Sequence, residues 1–142
     1  MPDDIASLPT NLREALRRAA LDFPHRGIAI FDGRGRSCER RSYTELYRLA
    51  GESAARFAGL GIGRDEPVLV ALPTSWEWME AWFGLLLRGA WPVASSGAGA
   101  MAAAEAQFEK VDKVMAAIGA RHVVASEAFR AQAGEQGFGF AP

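Results

Sequence analysis

The stretch Gly59–Ala94, GLGIGRDEPVLVALPTSWEWMEAWFGLLLRGAWPVA, decides the fold of this chain. Within it, Pro67 to Leu72 (PVLVAL) is apolar without alternation, the pattern of a strand covered on both faces. Gly59, Gly61 and Gly63 separate this strand from the segment before it. From Thr74 to Arg88, the residues Trp76, Trp78, Met79, Trp82, Phe83, Leu85 and Leu86 make a helix apolar on most sides. Its narrow polar stripe is Glu77, Glu80, Gly84 and Arg88. Gly89 ends the helix, and Trp91–Ala94 is a second, short extended segment. A doubly covered strand, a helix and another strand form a βαβ unit, with parallel strands and a right-handed crossover.

Toward the N-terminus the patterns alternate in the same way. Asn11, with Glu14 three residues on, reads as a capping box, and Leu12, Ala15, Leu16, Ala19, Ala20 and Phe23 form one apolar helical face that Pro24 stops. Gly27–Asp32 reads as a strand, Asp32, Gly33 and Gly35 as a turn, and Ser37–Arg41 as a polar returning edge strand. Ser42 and Glu45 open a second capped helix with Leu46, Leu49, Ala50, Ser53, Ala54 and Phe57 on its inner face. Its outer face carries Glu45, Arg48, Glu52 and Arg56, with Glu52 and Arg56 expected to pair. Beyond the small-residue loop Ser95–Met101, a helix with Phe108, Val111, Met115 and Ile118 inward runs to Ile118, Arg121–Ala125 is a strand, and Ser126 opens a last helix. The expected fold class is therefore α/β, a mainly parallel, doubly wound sheet with flanking helices. Residues 1–10 are expected to be a flexible N-terminus, 11–133 one α/β subdomain, and 134–142 a disordered or truncated tail.

Composition excludes several functions. With 142 residues, 49% apolar and 23% charged, the chain is about one globular domain. A formal net charge of -1 gives no pull toward nucleic acid or an anionic membrane. The single cysteine, Cys38, excludes an internal disulfide, and His25 and His122 lack companions for a metal site. Met1–Thr10 lacks the features of a signal peptide, and Ala81–Val93 is broken by Arg88 and too short to span a bilayer, so the expected location is cytoplasmic.

Four stretches, in order, resemble the start of the adenylate-forming superfamily of acyl-CoA synthetases, fatty-acyl-AMP ligases and peptide-synthetase adenylation domains. Asn11–Leu16 with Phe23-Pro24 and Ile28–Ile30 is similar to the opening helix and first strand. Arg41–Leu46 (RSYTEL) is similar to the "(T/S)YxEL" motif. Gly59–Val68 followed by Leu72–Ser75 (LPTS) is similar to "LGVxxGDxV" and "LPNS". Gly84–Val93 (GLLLRGAWPV) is similar to "G(I/V)LKAGAVPVPL", with Ala94 where the family has its second proline.

The resemblance implies a parent enzyme that uses ATP and Mg²⁺ to activate a carboxylic acid as acyl-AMP, and the aromatic weight of Trp76–Phe83 leans toward a fatty or other large apolar acid. The acceptor would be coenzyme A or an acyl carrier protein. Such chemistry needs phosphate-cradling amides, a metal and a cation. The family's "TSGTTGxPKG" loop, ribose-binding Asp and C-terminal lysine are absent from these 142 residues. The expectation is no catalytic, cofactor-binding or metal residue here and no activity by the chain alone. Its partner would be the remainder of the ligase, with dimerisation through exposed apolar surface as a consequence of its absence.

Four features keep two readings each. Trp82 and Phe83 are candidate walls of an acyl pocket, against a plain core role. Gly97–Ala102 fits the dinucleotide pattern G-x-G-x-x-A, against a flexible loop, and would make the chain an NAD or flavin module. Arg34, Arg36, Arg40 and Arg41 read first as a solvated edge that blocks strand pairing, with docking of an acidic carrier protein or coenzyme A phosphate as the alternative. The whole chain, finally, could be an interaction module that keeps the fold without chemistry.

Overall fold

The structure, a computed structural model, describes residues 8–36, 38–95 and 104–135. The apolar run forms β3 (Pro67–Ala71), the centre of a parallel sheet ordered β4-β3-β5, with β4 (Trp91–Ala94) and β5 (His122–Ala125) on its flanks. Val68 faces Pro92 on one side and His122 on the other, and Val70 faces Ala94 and Val124. Val68, Leu69 and Val70 are fully buried, as the absence of alternation predicted.

Alternate residues of β3 feed two cores. Val68 and Val70 pack with Ile62, Leu85 and Ala90 under α3 (Trp76–Arg88), which links β3 to β4. Leu69 packs with Phe108, Val111, Phe129 and Ala133 of α4 (Ala104–Ile118) and α5 (Glu127–Glu135) on the opposite face. The strand order explains this. The step from β3 to β4 and the return from β4 across to β5 run in opposite directions, so right-handed crossovers place their helices on opposite faces. The sheet is doubly wound, as the sequence indicated.

The N-terminal elements form a third core. α1 (Leu12–Asp22), the hairpin of β1 (Gly27–Phe31) and β2 (Cys38–Ser42), and α2 (Tyr43–Gly59) join α3 around Leu16, Leu46, Ala50 and Trp76. The hairpin is a separate two-stranded antiparallel sheet. The capping box of α1 is shifted by one residue: Glu14 N–H donates to Asn11 Oδ1, but the Glu14 carboxylate accepts from Thr10 N–H and hydroxyl. Ser42 and Ser126 accept from Glu45 and Phe129 N–H as caps. Gly89, at φ 89°, closes α3 with Ala90 N–H reaching back to the Leu85 carbonyl.

Three local expectations are corrected. Leu12 and Phe23 lie outside the core, at 57% and 50% exposure, because α1 buries only the narrow strip of Leu16 and Ala20 against α2 and α3. Glu52 pairs with Arg48 rather than Arg56, whose guanidinium donates to the buried Ser53 hydroxyl. Gly84 belongs to the α2–α3 contact and not to a polar stripe: a Cβ there would lie 2.7 Å from Ser53 Cβ and 3.2 Å from Phe57. Glycine lets the two helices approach this closely.

Candidate functional site

In a doubly wound sheet, ligands bind beyond the carboxyl ends of the strands, where neighbouring strands send their helices to opposite faces. Here that point lies between β3 and β5. Leu72–Ser75 leave β3 toward α3 on one face, and Ser126 leaves β5 toward α5 on the other. Ser75 and Ser126 each accept the N–H three residues on. At the end of β4, Ser95 N–H bonds the Val70 carbonyl, while its hydroxyl is buried without a partner among the described residues.

Among the described residues this rim carries negative charge at its helix ends. The first turns of α3 and α5 already hold Glu77 and Glu127, which occupy the positive ends of the helices. The Glu77 carboxyl is held below its usual range by its own main-chain N–H, by the Ser75 hydroxyl and by Arg41. Arg41, the nearby cation, is engaged elsewhere, by Glu80 at 2.6 Å and Glu39 at 2.7 Å, with its guanidinium 4.8 Å above the Trp76 ring. Lys110 and Lys113 line a shallow depression on the outer side of α4, with Ala106, Glu109, Val114 and Ala117. Among the described residues no three His, Cys, Asp or Glu side chains are grouped so as to hold a metal.

The structure separates the two candidate pocket residues. Trp82 packs on the Val68–Leu85 core and stacks with Trp78 at 4.9 Å, whereas Phe83 packs on the Leu16–Leu46–Trp76 core. The four hairpin arginines also divide: Arg41 turns inward to Trp76 and Glu80, while Arg34, Arg36 and Arg40 are exposed. The Gly97–Ala102 pattern lies outside the described residues.

A polar node that sequence reasoning missed sits at the opposite end of the sheet. Glu66 accepts from Gly63 N–H at 2.8 Å and from Arg121 at 3.0 Å, lies 3.4 Å from His122, and offers its main-chain carbonyl to Trp91 N–H. One residue thus ties together the entries to β3, β4 and β5. The Gly63 hydrogen bond first, then Arg121 and His122, hold its carboxyl below the usual range.

The family described as "AMP-binding enzyme" matches residues 16–136, most of the chain. The chain belongs to the AMP-binding enzyme family. Among curated proteins none matches it significantly. Solved structures agree in fold. A study of fatty acyl-adenylate ligases from E. coli and L. pneumophila includes one with a TM-score of 0.72 at 23% identity, over 94% of this chain and 24% of that one. The inhibitor-bound N-terminal domain of FACL13 from Mycobacterium tuberculosis superposes at 0.63 with 23% identity, over 80% and 26% of the two chains. The N-terminal subdomain of Klebsiella oxytoca NpsA with 3-hydroxybenzoyl-AMSN superposes at 0.65 with 20% identity, over 79% and 26%. This member of the AMP-binding family therefore spans about a quarter of the structures it resembles. Among its described residues no helix is long and apolar enough to cross a membrane.

Proposed function

We propose that this chain is the N-terminal part of a ligase that activates a carboxylic acid, a fatty acid in the favoured case, as acyl-AMP for transfer to coenzyme A or a carrier protein. The family match over residues 16–136 is the observation that supports the reading. In it, the chain provides a scaffold: a doubly wound sheet whose carboxyl-end rim would meet the remainder of the ligase. The pocket-wall role of Trp82 and Phe83 belongs to the proposal, as do a cytoplasmic location and dimerisation when the remainder is missing.

On this reading the chain alone does not form acyl-adenylates. An α-phosphate attack needs donors aimed at the developing charge, and among the described residues the helix ends at the rim present Glu77 and Glu127 beside the Ser75 and Ser126 hydroxyls that cap them. Isothermal titration of the purified chain with ATP–Mg²⁺, and with NAD in a parallel cell, tests this. The expected result is no heat of binding from either. Micromolar binding of ATP would refute the view that the phosphate-holding groups lie elsewhere. Micromolar binding of NAD would replace the ligase reading with a dinucleotide module.

A further inference from the structure

The β1–β2 hairpin has two faces of unlike chemistry. Ile28 and Ile30 pack on the Leu46–Trp76 core, and their partners across the strands, Arg41 and Glu39, pair with each other on that side. By the alternation of strand side chains, Ala29, Phe31, Cys38 and Arg40 point the other way. Phe31 is 59% exposed, directly opposite the exposed Cys38, and Ala29 is opposite Arg40. Arg34 and Arg36 follow in the turn of the same hairpin, both exposed, where the Asp32 carboxylate is engaged by their own main-chain N–H groups at 3.0 and 2.9 Å. Among the described residues, Arg34, Arg36 and Arg40 make no ion pair.

A solvated edge calls for the charges alone and leaves the exposed Phe31 ring on the same face as Arg40 without a role. The open edges of the hairpin are main-chain N–H and C=O groups, whereas Arg40 and Phe31 project from the face. An exposed aromatic ring among arginines has the composition of a binding hot spot. The patch is confined to the hairpin of a chain with net charge -1, so no broad positive field favours a nucleic acid. We propose that the outer face of this hairpin docks an acidic protein segment, whose carboxylates meet Arg34, Arg36 and Arg40 and whose apolar side chain covers Phe31. The docking surface is independent of the ligase reading and of the strand-end rim.

The test uses the whole chain and a fluorescein-labelled (Glu-Glu-Leu)₄ peptide, followed by fluorescence anisotropy at low and physiological salt. The expected result is saturable binding that weakens with salt. R34Q/R36Q/R40Q should weaken it about ten-fold, the sum of three exposed charge pairs, and F31S should also weaken it several-fold. R17Q/R64Q/R130Q removes the same charge elsewhere and should leave it unchanged; these arginines, like Arg34, Arg36 and Arg40, are exposed, and melting curves of all variants should match. No binding of the peptide, or equal loss in the control variant, overturns the proposal. Insensitivity to F31S together with displacement by inorganic pyrophosphate overturns it in favour of a small phosphate ligand.

Discussion

Replacing Gly84 by alanine sets two effects of opposite sign against each other at one point. In an exposed helix interior, Gly→Ala gains about 1 kcal/mol from backbone entropy. At Gly84 the new Cβ would lie 2.7 Å from Ser53 Cβ, 3.2 Å from a Phe57 ring carbon and 3.3 Å from the Ala50 carbonyl oxygen. Carbon pairs rest at about 3.5–4.0 Å, so α2 and α3 must part locally by roughly 1 Å. Neither Ser53 Cβ nor the Ala50 carbonyl can rotate away, and overpacking of this kind costs about 1–3 kcal/mol. The expected net loss is about 1 kcal/mol, a fall in Tm of roughly 3–5 °C for a chain of this size.

Thermal and urea melts followed by circular dichroism at 222 nm would measure it, with a cycle through position 53 to locate the cause. S53A keeps the Cβ and should leave the G84A cost intact. S53G removes the Cβ and should recover about 1 kcal/mol of it as coupling energy, whatever S53G costs by itself. A G84A variant that melts higher than the parent would refute the close-contact reasoning. The same penalty in the S53A and S53G backgrounds would also refute it.

E66Q keeps the acceptor for Gly63 N–H but loses the charge facing Arg121 and His122, and should cost about 1 kcal/mol or less near pH 7, because Arg121 is largely exposed. The Glu66 carboxyl is held below its ordinary 4.5, so its contribution is present above pH 4.5 and lost as pH falls through the lower folded value; the melting difference between parent and E66Q should shrink over that window. R41A removes the guanidinium shared by Trp76, Glu39 and Glu80 and should destabilise by about 1–2 kcal/mol in urea melts, against about 0.5 kcal/mol or less for the outward-facing R40A. F108A empties a site 1% exposed, where Phe108 meets Phe129 edge-on at 4.8 Å, and should cost about 3–5 kcal/mol by the same measurement.

How much was legible in the sequence follows from the range of each interaction. The run of β3 was readable because its unbroken apolar composition itself encodes cover on both faces, and the caps at Asn11, Ser42 and Ser126 because each partner lies three residues away. Gly84 was misread because a glycine shows no affinity of its own; only the neighbouring helix reveals that the position is buried. Arg41 was grouped with three exposed arginines because the face a strand residue occupies depends on what covers the hairpin, here Trp76 and Glu80. Glu66 escaped notice since, Gly63 apart, its partners stand 55 residues away at Arg121 and beyond β3 at Trp91. The strand-end rim needed the order β4-β3-β5, which no local pattern encodes.

The pairing of β4 has a consequence for how this sheet can grow. Trp91 and Ser95 direct their N–H groups to the carbonyls of Glu66 and Val70, so alternation turns the main chain of positions 92 and 94 away from β3. Position 92 is proline and has no N–H to give. A strand arriving on that side would find one donor, from Ala94, across the whole of Trp91–Ala94. The four residues of β5, His122–Ala125, contain no proline, so their outward-turned N–H groups all remain as donors. Among the described residues, β5 thus offers an added strand more main-chain donors than β4 does.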